Sequence, residues 1–282
     1  MLFSRPVVLT VLAMLAFAGN SLLCRAALQH TSIDAATFTS VRLATGAATL
    51  AVLVALRRSG PAWRAGSWPS AVALCVYAAG FSLAYVSLTA ATGALLLFGA
   101  VQATMIGHGL YRGERLRPLP LAGLVMAFAG MGALLLPGLS APPLGAAALM
   151  LLAGIAWGVY SLRGRGGGDP TDTTAGNFLR ATPLALLVSV VTLDQAAWDW
   201  PGLGYAAASG ALASGVGYAL WYAALPSLRA TQAATVQLSV PVIAAVGGVA
   251  LLGEPLTLRL SLASIAILGG IALVIRDRAP RA

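Results

Sequence analysis

Apolar runs, each long enough to cross a lipid bilayer as a helix, recur along the whole chain. A spanning helix needs about 20 predominantly apolar residues. Because 59% of the residues are hydrophobic and only 9% are charged, most of these runs must face lipid. The pattern predicts an all-α integral membrane protein with ten transmembrane helices, at residues 7–28, 35–56, 69–88, 92–111, 119–136, 143–162, 174–193, 202–224, 230–252 and 257–275.

The basic residues are all arginines, and they concentrate in every second connection. The connections after the second, fourth, sixth and eighth runs, together with the two tails, hold thirteen of the seventeen. Cytoplasmic loops are enriched in arginine and lysine. We therefore expect a multi-pass protein of the cell (inner) membrane with both termini cytoplasmic. The net charge of +9 reflects this topology, so we expect lipid contact and no nucleic-acid partner.

The chain partly repeats itself after 140 residues. The segment AFAGNSLLCR (16–25) aligns with AWGVYSLRGR (156–165), and RGERL (112–116) aligns with LGEPL (252–256). At a shift of 138 residues, Arg42 aligns with Arg180. Two halves of five helices, residues 1–140 and 141–282, have opposite orientations because five is odd. Inverted repeats of this kind are typical of secondary transporters that work by alternating access.

These motifs resemble the drug/metabolite transporter superfamily, and its EamA family in particular. The similarity rests on the aromatic-small pairs Phe17-Ala18 and Trp157-Gly158, on the two arginines above, and on the turns Gly113-Glu114 and Gly253-Glu254. Phe17-Ala18 departs from the Trp-Gly or Trp-Ser common in the family. The resemblance implies two EamA-like five-helix repeats and export of small metabolites, often amino acids. It also implies a cavity lined by helices 1–4 and 6–9, with helices 5 and 10 peripheral.

Aromatic and amide side chains inside the runs are the candidate lining of a substrate cavity. Aromatic rings and amides can bind small amphipathic solutes without selecting for the charge of the solute. Residues three or four apart share a helix face. The alternative for each is packing against lipid or, for the amides, a hydrogen bond between helices. The candidates are Phe17, Asn20, Tyr77, Phe81, Tyr85, Phe98, Gln102, Trp157, Tyr160, Tyr218, Trp221, Gln232 and Gln237.

Two arginines and one histidine are the charged or titratable candidates within the runs. Arg42 and Arg180 are candidates for gating or for recognition of a charged substrate, since a cation at membrane depth is costly unless compensated. The alternative is that both extend to the interface and anchor helix ends. His108 is a candidate proton-sensitive group. Pro241, near the middle of the ninth run, is expected to kink that helix.

The acidic residues all lie at helix ends or in loops, which argues against a proton relay of buried carboxylates. The sequence has no metal-ligand spacing, catalytic triad or phosphate-binding loop, so we expect no metal, no cofactor and no enzymatic activity. The leading hypothesis is a secondary transporter exporting a small amino acid or organic acid. The alternatives are an uncoupled facilitator or importer of a small solute and, in a different class, a non-transporting membrane scaffold or a lipid-modifying enzyme.

Overall fold

The described part of the chain is built from helices. A computed structural model describes residues 5–57, 62–113, 117–138, 141–164, 168–228, 233 and 236–277, and it contains no strand in these ranges. The helices are α1 (Arg5–His30), α2 (Ala35–Arg57), α3 (Trp68–Tyr85), α4 (Ala90–Tyr111), α5 (Pro118–Leu135), α6 (Leu144–Arg163), α7 (Pro170–Val191), α8 (Trp200–Ala208), α9 (Gly217–Ala224), α10 (Ser239–Leu252) and α11 (Leu258–Asp277).

Eight of these helices, α1 to α7 and α11, are long and apolar enough to cross a membrane. A π-helical segment, Ser209–Val216, joins α8 to α9 without a break. The helix α10 is also apolar but shorter. Large apolar side chains cover the outside of the molecule, for example Val125 on α5, Leu187 on α7 and Ile265 on α11. Such a surface is stable in lipid and not in water, so the chain is a multi-pass membrane protein.

Several helices begin where a short polar side chain caps the first turn. Asp34, Asp169 and Asp199 accept hydrogen bonds from the first free backbone N–H groups of α2, α7 and α8. Ser67 and Thr89 do the same for α3 and α4. The first N–H groups of a helix have no partner within it, so these caps fix where the helices start.

Small residues let the helices approach closely. A Cβ added at Gly154 on α6 would lie 2.6 Å from the Ala100 Cβ and 2.6 Å from the Leu97 carbonyl oxygen of α4. At Gly123 on α5 it would lie 2.5 Å from the Gly270 carbonyl oxygen of α11. In membranes, where no hydrophobic effect drives helices together, such close contacts supply much of the association energy.

The ninth run is interrupted close to Pro241. The helix α10 begins at Ser239, after a turn at Leu238, so Pro241 lies in the first turn and not in the middle of a continuous helix. Proline is tolerated at the start of a helix because its missing N–H would have no partner there. The break therefore lies three residues before Pro241, next to the Gln237 carbonyl that a proline leaves without its i→i−4 hydrogen bond.

Candidate substrate cavity

A cavity of about 800 Å³ lies among α1, α3, α4, α6, α7 and α9. One end, which we call the open end, reaches the surface at the exposed residues Arg112, Gly164 and Pro170. From there the cavity runs inward to the buried residues Asn20, Ser21 and Phe81. Its volume is in the range of sites that enclose small organic molecules.

Aromatic rings in mutual contact form much of the cavity wall. The Trp157 ring centroid lies 4.8 Å from that of Tyr77 and 5.3 Å from that of Tyr218. Phe17 lies 5.6 Å from Tyr218, and Trp157 stacks on Tyr160 at 5.2 Å. Because these residues come from α1, α3, α6 and α9, both halves of the chain supply the wall.

A network of polar side chains closes the buried end of the cavity. The Tyr77 hydroxyl oxygen accepts hydrogen bonds from Arg42 Nη2 at 3.0 Å and from Asn20 Nδ2 at 3.3 Å. Ser209 donates to Asn20 Oδ1 at 2.6 Å. The network joins α2, α3 and α1 to the π-helical segment, so it ties the buried end of the cavity to four helical elements.

Arg42 lies behind this wall. Its side chain is only 1% exposed, and its guanidinium carbon lies 5.2 Å from the Tyr77 ring centroid and 4.8 Å from that of Phe81. Both rings line the cavity. Arg42 therefore does not reach the surface of the protein, and its charge lies one side chain away from the cavity.

Arg180 has a different environment from its sequence counterpart. It donates hydrogen bonds to the carbonyl oxygens of Ala65 at 2.6 Å and Trp63 at 2.8 Å, in the connection between α2 and α3. It also bonds the Gly176 carbonyl oxygen of its own helix. Arg180 thus fastens α7 to that connection, and the two arginines are not equivalent in this conformation.

Most of the side chains that the sequence predicts to line a cavity do line it, and Tyr85 is an exception. Tyr85 does not line it, because its ring packs against Phe81 and its hydroxyl donates to the Ala90 carbonyl oxygen at the start of α4. Gln232 lies outside the described residues. The nominated residues that line the cavity are Phe17, Asn20, Tyr77, Phe81, Phe98, Gln102, His108, Trp157, Tyr160, Tyr218, Trp221 and Gln237.

Sequence reasoning missed polar residues on α7. Asn177 donates to the Tyr160 hydroxyl at 3.3 Å and accepts from the Ser67 backbone N–H at 2.8 Å. Thr174 is 3.4 Å from the Tyr222 hydroxyl. Both line the cavity. Their spacing of three residues puts them on one helix face, and this was the available signal.

The opposite end of the molecule, which we call the closed end, is held by contacts between the two halves. Arg25 Nε lies 3.0 Å from Glu254 Oε1, and both side chains are largely buried. Arg25 also donates to the Tyr85 and Val86 carbonyl oxygens, while Glu254 Oε2 accepts from the Ala90 backbone N–H. These bonds join α1, the end of α3, the start of α4 and the turn after α10.

Two surface connections at the closed end also bind each other. Asp34 accepts from the Ala197 backbone N–H, and Asp199 accepts from the Ser32 backbone N–H. Partial burial acts to raise the pKa of Asp34, but hydrogen bonds from Thr37, Ala197 and Ala36 outweigh it and hold that pKa below its ordinary value. The ionised carboxylate therefore contributes to the contact.

Within the described ranges, no group of three or more His, Cys, Asp or Glu side chains is placed to hold a metal ion. His108 and Arg112 line the cavity near its open end. The wall thus offers rings, amides and hydroxyls to a solute, with one buried cation behind it.

The fold and cavity define a multi-pass membrane protein of the transporter class. Residues 144–276 match the EamA-like transporter family, and the uncharacterized protein PA1977 of Pseudomonas aeruginosa is 61% identical over 278 residues, covering 99% of this chain and 97% of that protein. The chain belongs to the EamA-like transporter family, and it is a membrane transporter of the drug/metabolite transporter superfamily.

More distant relatives agree with this assignment. The threonine/homoserine exporter RhtA of Salmonella typhimurium is 33% identical over 146 residues, and RhtA of Escherichia coli is 30% identical over 146 residues. Each alignment covers 50% of this chain and 49% of the exporter. A protein of known crystal structure shares the fold, with a TM-score of 0.65 at 20% identity over 96% of this chain and 97% of that one.

Proposed function

We propose that the protein is a secondary transporter of the cell membrane that exports a small amino acid or organic acid by alternating access. One observation carries the proposal: a cavity sized for a small solute is walled by both halves of the chain, reaches the surface at one end, and is closed at the other by bonds between the halves. A binding site open to one side at a time is what alternating access requires.

The helix contacts support two inverted repeats of five spans, residues 1–140 and 141–282. The helix α3 of the first half packs on α6 of the second, and the α8–α9 run of the second half packs on α1 of the first. Likewise α4 packs on α6 and α10 on α1, while α2 pairs with α7 and α5 with α11. If each helix is exchanged for its counterpart in the other half, the same set of contacts results.

The two Gly-Glu turns add support for the repeat. Gly113 after α4 and Gly253 after α10 have positive φ angles of 89° and 65°. This left-handed conformation favours glycine, so the aligned glycines have the same backbone role. In the proposed architecture α8 to α9 forms the eighth span, and α10 with the helical residues before it forms the ninth.

The distribution of arginine supports cytoplasmic termini and a cytoplasmic open end. Arg57, Arg64, Arg112 and Arg163 lie at helix ends or in connections on the side of the open end. The connections at the closed end, such as residues 31–34 and 192–199, contain no arginine. By the positive-inside rule, the open end of the cavity then faces the cytoplasm. This is the conformation in which an exporter binds its substrate.

The cavity wall and the relatives support the proposed substrate class. The wall has no carboxylate among its described residues, which disfavours organic cations, whereas amides, hydroxyls and the nearby Arg42 suit a solute with an acidic group. Two relatives are named threonine/homoserine exporters. Small hydroxylated amino acids are therefore the first substrates to test.

Efflux from cells tests the proposal. Cells overproducing the protein are loaded with labelled amino acids and organic acids, and release is compared with cells carrying the Gln102→Ala/Trp157→Ala variant at equal membrane level. Faster release of at least one solute by the wild type supports export. Counterflow with and without a proton gradient then separates a coupled exporter from a facilitator. Equal release of every solute from both cells would contradict the proposal.

A further inference from the structure

Arg42 is a buried cation with unused hydrogen-bond donors. Only Nη2 has a partner, the Tyr77 hydroxyl, whereas Nε and Nη1 are buried without one. Among the described residues, Arg25 and Glu254 form an ion pair, whereas Arg42 has no carboxylate partner. A buried charge is normally paired, so the site lacks an anion.

The Tyr77 hydroxyl connects this charge to the cavity. Its oxygen already accepts two hydrogen bonds, from Arg42 and Asn20, and its own O–H has no acceptor among the described residues. Tyr77 lines the cavity. Because Arg42 donates from behind the wall and Asn20 occupies the second acceptor position of the oxygen, the O–H is left free to donate to a solute in the cavity, and the guanidinium polarises it.

Asn20 is fixed in the orientation that this arrangement needs. Its Oδ1 accepts from Ser209, which leaves Nδ2 to face Tyr77. Ser209 belongs to the π-helical segment, and π-helical turns are frequent at functional sites. The buried end of the cavity therefore presents an oriented hydroxyl with a cation behind it and no competing anion.

We propose that the Tyr77 hydroxyl binds the carboxylate of the transported solute, with Arg42 as the positioning residue that supplies the counter-charge and Asn20 as the residue that orients the hydroxyl. This assignment rests on the proposed transport through the same cavity and names its specificity: a solute needs an acidic group at the end that enters first. Rings such as Trp157 and Phe81 then enclose the remainder of the solute.

The test compares acids with their amides. Binding of L-threonine, L-homoserine and succinate to the purified full chain is measured by tryptophan fluorescence, because Trp157 and Trp221 line the cavity. L-threoninamide, L-homoserinamide and succinamide are measured beside them. We expect at least one acid to bind about tenfold or more tightly than its amide, as loss of a hydrogen bond to a charged group predicts.

Variants separate recognition from folding. Tyr77→Phe removes only the hydroxyl and is expected to abolish the preference for the acid, and Arg42→Gln to do the same. Arg42→Lys keeps the charge and is expected to restore part of the preference. Arg180→Gln is the matched control, since Arg180 bonds carbonyl oxygens away from this end, and it should leave the preference unchanged.

Several results would overturn the assignment. Wild-type protein that binds none of the acids, or binds the amides equally well, contradicts it. The same holds if Tyr77→Phe and Arg42→Gln weaken acids and amides by the same factor, because that is what a purely structural role predicts. Transport of an acid and its amide at equal rates would contradict this assignment and leave the proposed export intact. Selective binding of the acid without any flux would count against export alone.

Discussion

Arg25 on the first helix and Glu254 in the turn after α10 form an ion pair of 3.0 Å that closes one end of the cavity. Replacing Glu254 by Gln removes the anion while Arg25 stays largely buried. An unpaired buried charge is strongly destabilising, so the closed end should open more often. We expect an Ala90→Cys thiol, buried beside this pair, to react faster with an impermeant maleimide from outside the cell.

The control for this prediction is Asp194→Asn. Asp194 is exposed in the connection after α7, at the same end of the molecule, and its loss removes the same charge without breaking the pair. It should leave labelling of the Ala90→Cys thiol unchanged. If that thiol reacts at the same rate with and without the Glu254→Gln substitution, the ion pair does not hold this end closed.

The proposed topology predicts which side of the membrane each end faces. In a chain with Cys24 and Cys75 replaced by Ala, a cysteine at Trp198, exposed at the closed end, should react with an impermeant thiol reagent in intact cells. A cysteine at Arg112, exposed at the open end, should react only after the membrane is permeabilised. The reverse pattern would overturn the orientation.

Close packing of α4 on α6 predicts a steric effect of one methyl group. In Gly154→Ala the new Cβ would lie 2.6 Å from the Ala100 Cβ, and overpacking of this kind costs about 1–3 kcal/mol. The thermal unfolding temperature of the detergent-purified protein should fall. Gly132→Ala on α5, where nothing lies within 4 Å of the new Cβ, is the matched control and should keep or raise that temperature. A similar decrease in both variants would contradict the packing.

The contact between Asp34 and Ala197 predicts a dependence on pH. Because the folded-state pKa of Asp34 is lowered, its contribution to stability is full above the ordinary carboxyl pKa of 3.8 and is lost as the pH falls through the lower folded value. The difference in unfolding temperature between wild type and Asp34→Asn should therefore be present at neutral pH and shrink on acidification. A difference independent of pH would assign the effect to capping geometry alone.

Helical periodicity located part of the cavity but not its ends. Tyr77, Phe81 and Tyr85 are spaced by four residues, and each step overshoots a 3.6-residue turn by about 40°. After two steps the face has rotated by about 80°, and Tyr85 also lies at the end of α3 beside Ala90. Spacing alone therefore grouped three rings of which only the first two line the cavity.

The different roles of Arg42 and Arg180 were not predictable from their alignment. The sequence shows two arginines at equivalent positions of a repeat, but a single conformation places the two halves in unequal surroundings. Arg42 faces Tyr77 in the interior, whereas Arg180 bonds carbonyl oxygens of a connection. Such partners depend on tertiary packing, which a local pattern of polar and apolar residues does not contain.

The most direct measurement of the central claim is solute flux through the purified protein in proteoliposomes. Flux of labelled L-threonine, L-homoserine and succinate is compared for wild type, for Gln102→Ala/Trp157→Ala, and for Leu187→Ala, which changes an exposed apolar residue outside the cavity. We expect wild type and Leu187→Ala to carry at least one of these solutes at equal rates, and the cavity variant to be about tenfold or more slower. Equal flux in all three proteins, or no flux above empty vesicles with wild type, would contradict transport through this cavity.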